Sequence, residues 1–211
     1  KIGNGDDPDN NLYWGCDDGL RSYFKRSKQW RFVSSEKKAP PAGILEQCLF
    51  KHRQQDVWLV AHAYRGAEIR QAVTDFFGTV AGAAVPEIGF EPGEAMPALH
   101  EADLAAFIGH NGLMDFTINF PPNRRQGAPL PAVVLCCKSD AYFTAVLRQC
   151  GGDSVLMTRQ LMYPGSFLLH AALEGWLAKE KPPLWLDRAA RAYATNQRIS
   201  IKAARGIFVV P

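Results

Sequence analysis

Apolar positions along the chain recur with two periods, and segments of the two kinds alternate. Residues 56–64, DVWLVAHAY, are almost continuously apolar, which predicts a strand covered on both faces, as in a parallel sheet. In the segment that follows, Ile69, Val73, Phe76, Phe77 and Val80 recur at helical spacing, and Gly82 suits the helix end. Two further apolar runs predict strands: LAAFIGH, ending on His110, and LPAVVLCC, ending on Cys136 and Cys137. Phe143, Val146, Leu147 and Cys150 then mark a helix closed by GGD. SVLMTRQLM, residues 154–162, is the next strand. PGSFLLHAALEGWLAKE is a helix with Leu169, Leu173, Trp176 and Leu177 on one face. PPLWLDRAARAYATNQ is a second helix, entered through prolines, and GIFVVP supplies an edge strand.

The first third is less regular. NLYWG, residues 11–15, predicts a short strand. Leu20, Tyr23 and Phe24 predict a helix capped by Asp17 or Asp18, and WRFVSS, residues 30–35, a strand. KKAPPAG reads as a loop, because its prolines lack backbone donors. ILEQCLFKH, residues 44–52, places Ile44, Leu45, Cys48 and Leu49 on one face of a short helix. Residues 83–99 carry three prolines and two glycines and predict a long loop or short hairpin. DFTINFPPNRRQGAPLP, from Asp115 onward, is rich in Pro and polar residues and reads as a second long loop.

Strands alternating with helices predict an α/β fold: an open, mostly parallel sheet with helices on both faces. With 211 residues and no long linker, one domain over residues 11–211 is expected. Residues 1–10 are polar and are expected to be a flexible lead-in. The chain begins at Lys1; a removed secretory signal, with a secreted or periplasmic location, and a simple boundary are both consistent with that start.

Composition narrows the function classes. The formal charge is only +3, and Lys and Arg are scattered, which argues against a nucleic-acid partner. No apolar run approaches the roughly 20 residues of a membrane span. The five cysteines fall at irregular spacing, and adjacent Cys136 and Cys137 would point to opposite faces of a strand. No Cys-x-x-Cys, His-Glu-x-x-His or Gly-rich phosphate loop is present, so no metal and no cofactor are expected.

His110 and Cys137 hold the chemical interest. Ligands in open α/β sheets bind beyond the carboxyl ends of the strands, where both residues are expected. An imidazole can take the proton of a thiol and later protonate a leaving amine. A helix starting just after Cys137 would bring its positive end to the sulfur. Backbone N–H groups at Cys137 and near Gly112 could hold an oxyanion. Asp115 is expected to cap a loop, with orientation of a substrate as the alternative. His62 and His170 are expected to be structural, and His100 and Asp103 lack metal-ligand spacing. Asp140, Arg124, Arg125 and Arg159 lie in loops where a specificity pocket could form.

FIGHNG followed by VVLCCKSD resembles the caspase-like (clan CD) cysteine peptidases, which include caspases, metacaspases, gingipains, legumains and CHAT domains. The resemblance implies a caspase/hemoglobinase-like three-layer sandwich. It also implies a peptide or protein substrate, His110 as base and Cys137 as nucleophile. Cys136 matches the small residue before the nucleophile, and Ser139 the residue two beyond it. The chain departs from the pattern in having Asn111 between His110 and Gly112, in a His-to-Cys spacing shorter than that of caspases, and in lacking their Gln-Ala-Cys-x-Gly signature. The leading expectation is a cysteine endopeptidase. The alternatives are an inactive peptide-binding module on the same scaffold and another thiol or small-molecule enzyme.

Overall fold

The computed structural model describes residues 4–37, 43–83, 101–118 and 125–211. The loops expected over KKAPPAG and over residues 83–99 lie wholly or largely outside the described residues, as do His100, Arg124 and the middle of the loop that leads to Leu130. Among the described residues the strands form two sheets. Strands β1 (Trp30–Lys37), β2 (Ile44–His52) and β3 (Trp58–Tyr64) make an antiparallel meander with β2 central. Strands β4 (Ala105–Ile108), β5 (Leu130–Leu135) and β6 (Gly152–Thr158) are parallel, and the short β7 (Phe208–Val209) pairs antiparallel with β6. The helices are α1 (Leu20–Arg26), α2 (Ile69–Ala81), α3 (Ser139–Cys150), α4 (Phe167–Leu177), α5 (Pro182–Gln197) and α6 (Ile201–Arg205).

Alternation along β5 divides the core in two. Leu130, Ala132, Val134 and Cys136 join a cluster with α2 and α3, built on Val73, Phe77, Val80, Phe143 and Leu147. Val133 and Leu135 join a second cluster with α4 and α5 that includes Leu168, Ala172 and Ala189. The parallel strands are thus covered on both faces, as their continuous apolar runs predict. Gly152 shows how closely α2 packs on this sheet: a Cβ there would stand 2.6 Å from Val80 Cγ1.

The main correction concerns sheet organisation. The single, mostly parallel sheet expected from the sequence is a mixed α/β arrangement of two sheets, of which one contains parallel strands. Residues 44–52 form strand β2 rather than a helix. As the central strand β2 is buried on both faces, Glu46 and Gln47 included, and such burial leaves no period-2 signal to read. Glu46 is buried because Arg21 Nη1 (2.5 Å) and Trp14 Nε1 (2.7 Å) both donate to its Oε2. Strand β3 pairs antiparallel with β2, so its apolar character does not signal a parallel neighbour.

Smaller corrections lie near the start. Residues 11–15 are a run of turns, not a strand. The α1 N-cap is Gly19, while the Asp18 carboxylate accepts from the Tyr163 hydroxyl and Asn196 Nδ2. Residues 4–10, part of the expected lead-in, make contacts with the rest of the fold. Gly66 N–H donates to Gly5 O (2.9 Å), Arg65 pairs with Asp6 (3.0 Å) and Arg21 with Asp9 (2.7 Å). β6 ends at Thr158, four residues before its expected end, and the edge strand over GIFVVP is the two-residue β7.

Phe143 is fully buried and stacks on Phe77 (5.5 Å between ring centroids), with Phe76 and Phe107 also around it. Phe143→Ala is expected to lower unfolding free energy by about 3–5 kcal/mol, read as an earlier urea midpoint at unchanged slope.

Candidate functional site at the carboxyl rim of the parallel strands

The paired register of β4 and β5 ends at Ile108 and Leu135, and Gly109 N–H extends it by donating to Leu135 O (3.3 Å). His110 and Cys137 each stand two residues beyond those last partners. They occupy corresponding positions on strands that run side by side about 4.8 Å apart. Asn111 joins the two loops: its Nδ2 donates to Cys137 O (2.7 Å) and its Oδ1 accepts from Leu113 N–H (3.1 Å). Asn111 is wholly buried and ties the two loops together.

On the other side of Cys137, Lys138 adopts φ 52° and ψ 36°, turning the chain sharply from β5 into α3. A network around Ser139 holds that turn. Its Oγ donates to Val134 O (2.8 Å) and accepts from Thr158 N–H (2.9 Å), while Thr158 Oγ1 donates to Cys136 O. Lys138 N–H also donates to Gln160 O (3.0 Å). Ser139 is fully buried, and its hydroxyl holds the turn.

The His110 ring bonds through Nε2 to Asp115 Oδ2 (2.6 Å), leaving Nδ1 as its other nitrogen. Asp115, expected mainly as a loop cap, is therefore the partner of the candidate base. Cys137 is half-buried, and its Sγ makes a long contact to Met162 O (3.9 Å). Among the described hydrogen bonds none joins the imidazole to the thiol. Gly112 is buried. A Cβ there would stand 2.7 Å from Phe116 Cζ and 2.9 Å from Ile69 Cγ1, so a larger residue would have to displace both side chains. Its N–H donates to His110 O (3.1 Å), which occupies one of the two expected oxyanion donors. The other, the Cys137 N–H, has no acceptor among the described residues.

Cys16 is half-buried like Cys137, whereas Cys48, Cys136 and Cys150 are buried. Burial pushes the Cys48 thiol up to about 12 and the Cys150 thiol up to about 11, and pushes Cys136 up further. Tyr13, which sequence reasoning did not single out, interacts electrostatically with Cys137 and Cys136. Burial raises its phenol, and Cys137 and Cys136 add to the effect. No motif flags Tyr13, because its proximity arises from the folding back of residues 11–16.

Beside this rim a cavity of about 650 Å³ runs between β3 and β4, with His110, Tyr13, Tyr64 and Asp75 on its wall. The Tyr64 hydroxyl donates to Asp75 Oδ2 (2.7 Å), and burial raises the phenol strongly. His62 Nε2 bonds to Gln47 Oε1 (2.7 Å), and burial lowers the imidazole to about 4. No group of three or more metal-ligating side chains occurs among the described residues, and no helix there is long and apolar enough to cross a membrane. Compared with family models, curated proteins and solved structures, the chain matches none.

Two outcomes are expected from these contacts. Asn111→Ala should cost about 2 kcal/mol or more in a urea titration, because the Cys137 carbonyl and the Leu113 N–H both lose their partner. His62 is neutral in the folded state above about pH 4 but takes up a proton near pH 6.5 when unfolded. The unfolded chain therefore binds more protons in that window. Stability should fall as the pH drops from 6.5 to 4, and His62→Gln should flatten that slope.

Proposed function

We propose that this chain is a cysteine hydrolase that cleaves peptide bonds, on a scaffold of the caspase-like type in which the two sheets are parts of one sandwich. The observation that carries the reading is the matched placement of His110 and Cys137 at one rim of paired parallel strands, with Asp115 bonded to the imidazole. A nucleophile, a base and a group that orients the base is the arrangement covalent acyl transfer requires.

In this reading His110 Nδ1 accepts the thiol proton as Cys137 Sγ attacks the substrate carbonyl carbon. The Cys137 N–H donates to the oxygen that becomes negative. The tetrahedral adduct collapses as the protonated imidazole passes its proton to the departing amine, leaving a thioester on Cys137. Water then attacks the thioester with His110 again as base, which releases the acid and restores the thiol. Asp115 fixes the ring tautomer and balances the imidazolium charge. The side-chain contact at Sγ is weak, so the sulfur can turn toward the imidazole without losing a strong partner. The occupied Gly112 N–H favours a second reading, a binding module that turns nothing over.

Alkylation and turnover separate the two. Iodoacetamide at pH 7.5 should label Cys137 ahead of Cys16 and leave Cys48, Cys136 and Cys150 untouched until urea unfolds the chain, as mass spectrometry would show. On a fluorogenic peptide panel, Cys137→Ala should abolish turnover and His110→Ala should lower kcat about 100-fold or more. Asp115→Asn should lower kcat with little change in KM. Uniform labelling of Cys16 and Cys137, with either no turnover of any peptide or turnover that survives Cys137→Ala, would remove the reading of Cys137 as a hydrolase nucleophile.

A further inference from the structure

The cavity beside the rim has a particular shape. It is bordered by every residue of 56–64 and of 101–108, that is, by β3, β4 and their approaches. Consecutive residues of a strand point to opposite faces, so a wall made of all of them opens in the plane of the sheet. Trp14, Trp30 and Leu169 of one core cluster close it on one side, and Ala72 and Phe76 of the other cluster close it on the other. β3 and β4 are each the last strand of their sheet among the described residues. Two rows of backbone N–H and C=O groups therefore border one channel.

The two strands run the same way. α2 begins directly after β3, and its first residue, Ile69, lies against Gly112 just past the end of β4. Its far end, at Val80, lies against Gly152 at the start of β6, which is parallel to β4 through β5. The amino ends of β3 and β4 thus share one mouth of the channel, and that mouth carries Asp56, Glu101 and Asp103. Asp56 pairs with Lys51 (3.4 Å), whereas Glu101 and Asp103 have no ion-pair partner among the described residues. Trp30, which is 1% exposed, also borders the channel, and its indole N–H has no acceptor among the described residues.

We propose that the channel between β3 and β4 is a docking site for an extended segment of a partner protein, which adds as a strand to both edges and places Lys or Arg at the mouth lined by Asp56, Glu101 and Asp103. Two facing strand edges need an occupant with its own regularly spaced donors and acceptors, which a peptide backbone supplies. The apolar walls suit apolar side chains on both faces of the guest. β3 spans about 23 Å at the strand rise per residue, which suits a guest of about five to seven residues. The site works by backbone pairing and requires no step of the thiol chemistry, although His110 borders the channel at its rim end.

The test uses the full chain with Cys137→Ala, so that binding is read without turnover. Random decapeptides displayed on phage are panned against it, and the selected peptides are synthesised. Hydrogen exchange should slow at amides of Trp58–Tyr64 and Ala105–Ile108 when a peptide binds. Methylating alternate peptide nitrogens should weaken binding at least ten-fold. The selected sequences should carry Lys or Arg at one end, and Glu101→Gln with Asp103→Asn should weaken them several-fold at unchanged thermal midpoint. Selected peptides that protect amides elsewhere, or none that binds below about 1 mM, would overturn the proposal. Protection of both edges in the free chain would also overturn it: protection that grows with concentration would assign the channel to a second copy, and protection at every concentration to the chain itself.

Discussion

A strand buried on both faces has no water to satisfy its backbone, so it must find partners on both sides in the sheet. β5 is that strand. Its side chains reach into both core clusters, and its backbone pairs with β4 on one side and β6 on the other. α2 and α3 are placed by the face that carries Ala132 and Val134, and α4 and α5 by the face that carries Val133 and Leu135. The rim inherits its geometry from this strand, because Cys137 is where β5 leaves the sheet.

Leaving the sheet is itself costly at that point. Lys138 takes a left-handed conformation that a residue with a Cβ adopts only when its surroundings enforce it. The enforcement comes from Ser139 and Thr158, which bond to each other's backbone and side chain, and from Asn111, which holds the Cys137 carbonyl. Residues that the sequence pattern put at the site as chemical participants are thus divided by burial. Ser139, Asn111 and Gly112 shape the turn, while His110, Asp115 and Cys137 stay accessible. Hydrogen bonds are dense where the backbone turns and sparse at the Cys137 sulfur.

Polar groups within the first sheet are distributed by a similar rule. Glu46 and Gln47 sit on the central strand of the meander, where full exposure is impossible. Arg21 and Trp14 meet the carboxylate and His62 the amide oxygen, while the amide nitrogen of Gln47 has no partner among the described residues. The N-terminal turns are held against this sheet through Arg21, which also grips Asp9. Residues 4–10 therefore follow the charge on a buried strand instead of hanging free.

What the sequence by itself determined is the parallel half. The apolar runs ending on His110 and Cys137, the helical spacing of α2 through α5 and the glycine stop at Gly82 are local signals, and tertiary structure leaves local signals of that strength in place. The placement of His110 and Cys137 beyond corresponding strand ends was legible for the same reason. The antiparallel meander was not, because burial on both faces of β2 makes a strand and a short helix look alike in apolar spacing. Nor could the sequence separate Asp115 on an imidazole from Asp115 on a loop, or show that β3 and β4 border a channel rather than pair. The channel depends on how far apart two edges come to rest, which only packing of the helices on both sides decides, and the Asp115 contact depends on how the loop after β4 folds back on His110.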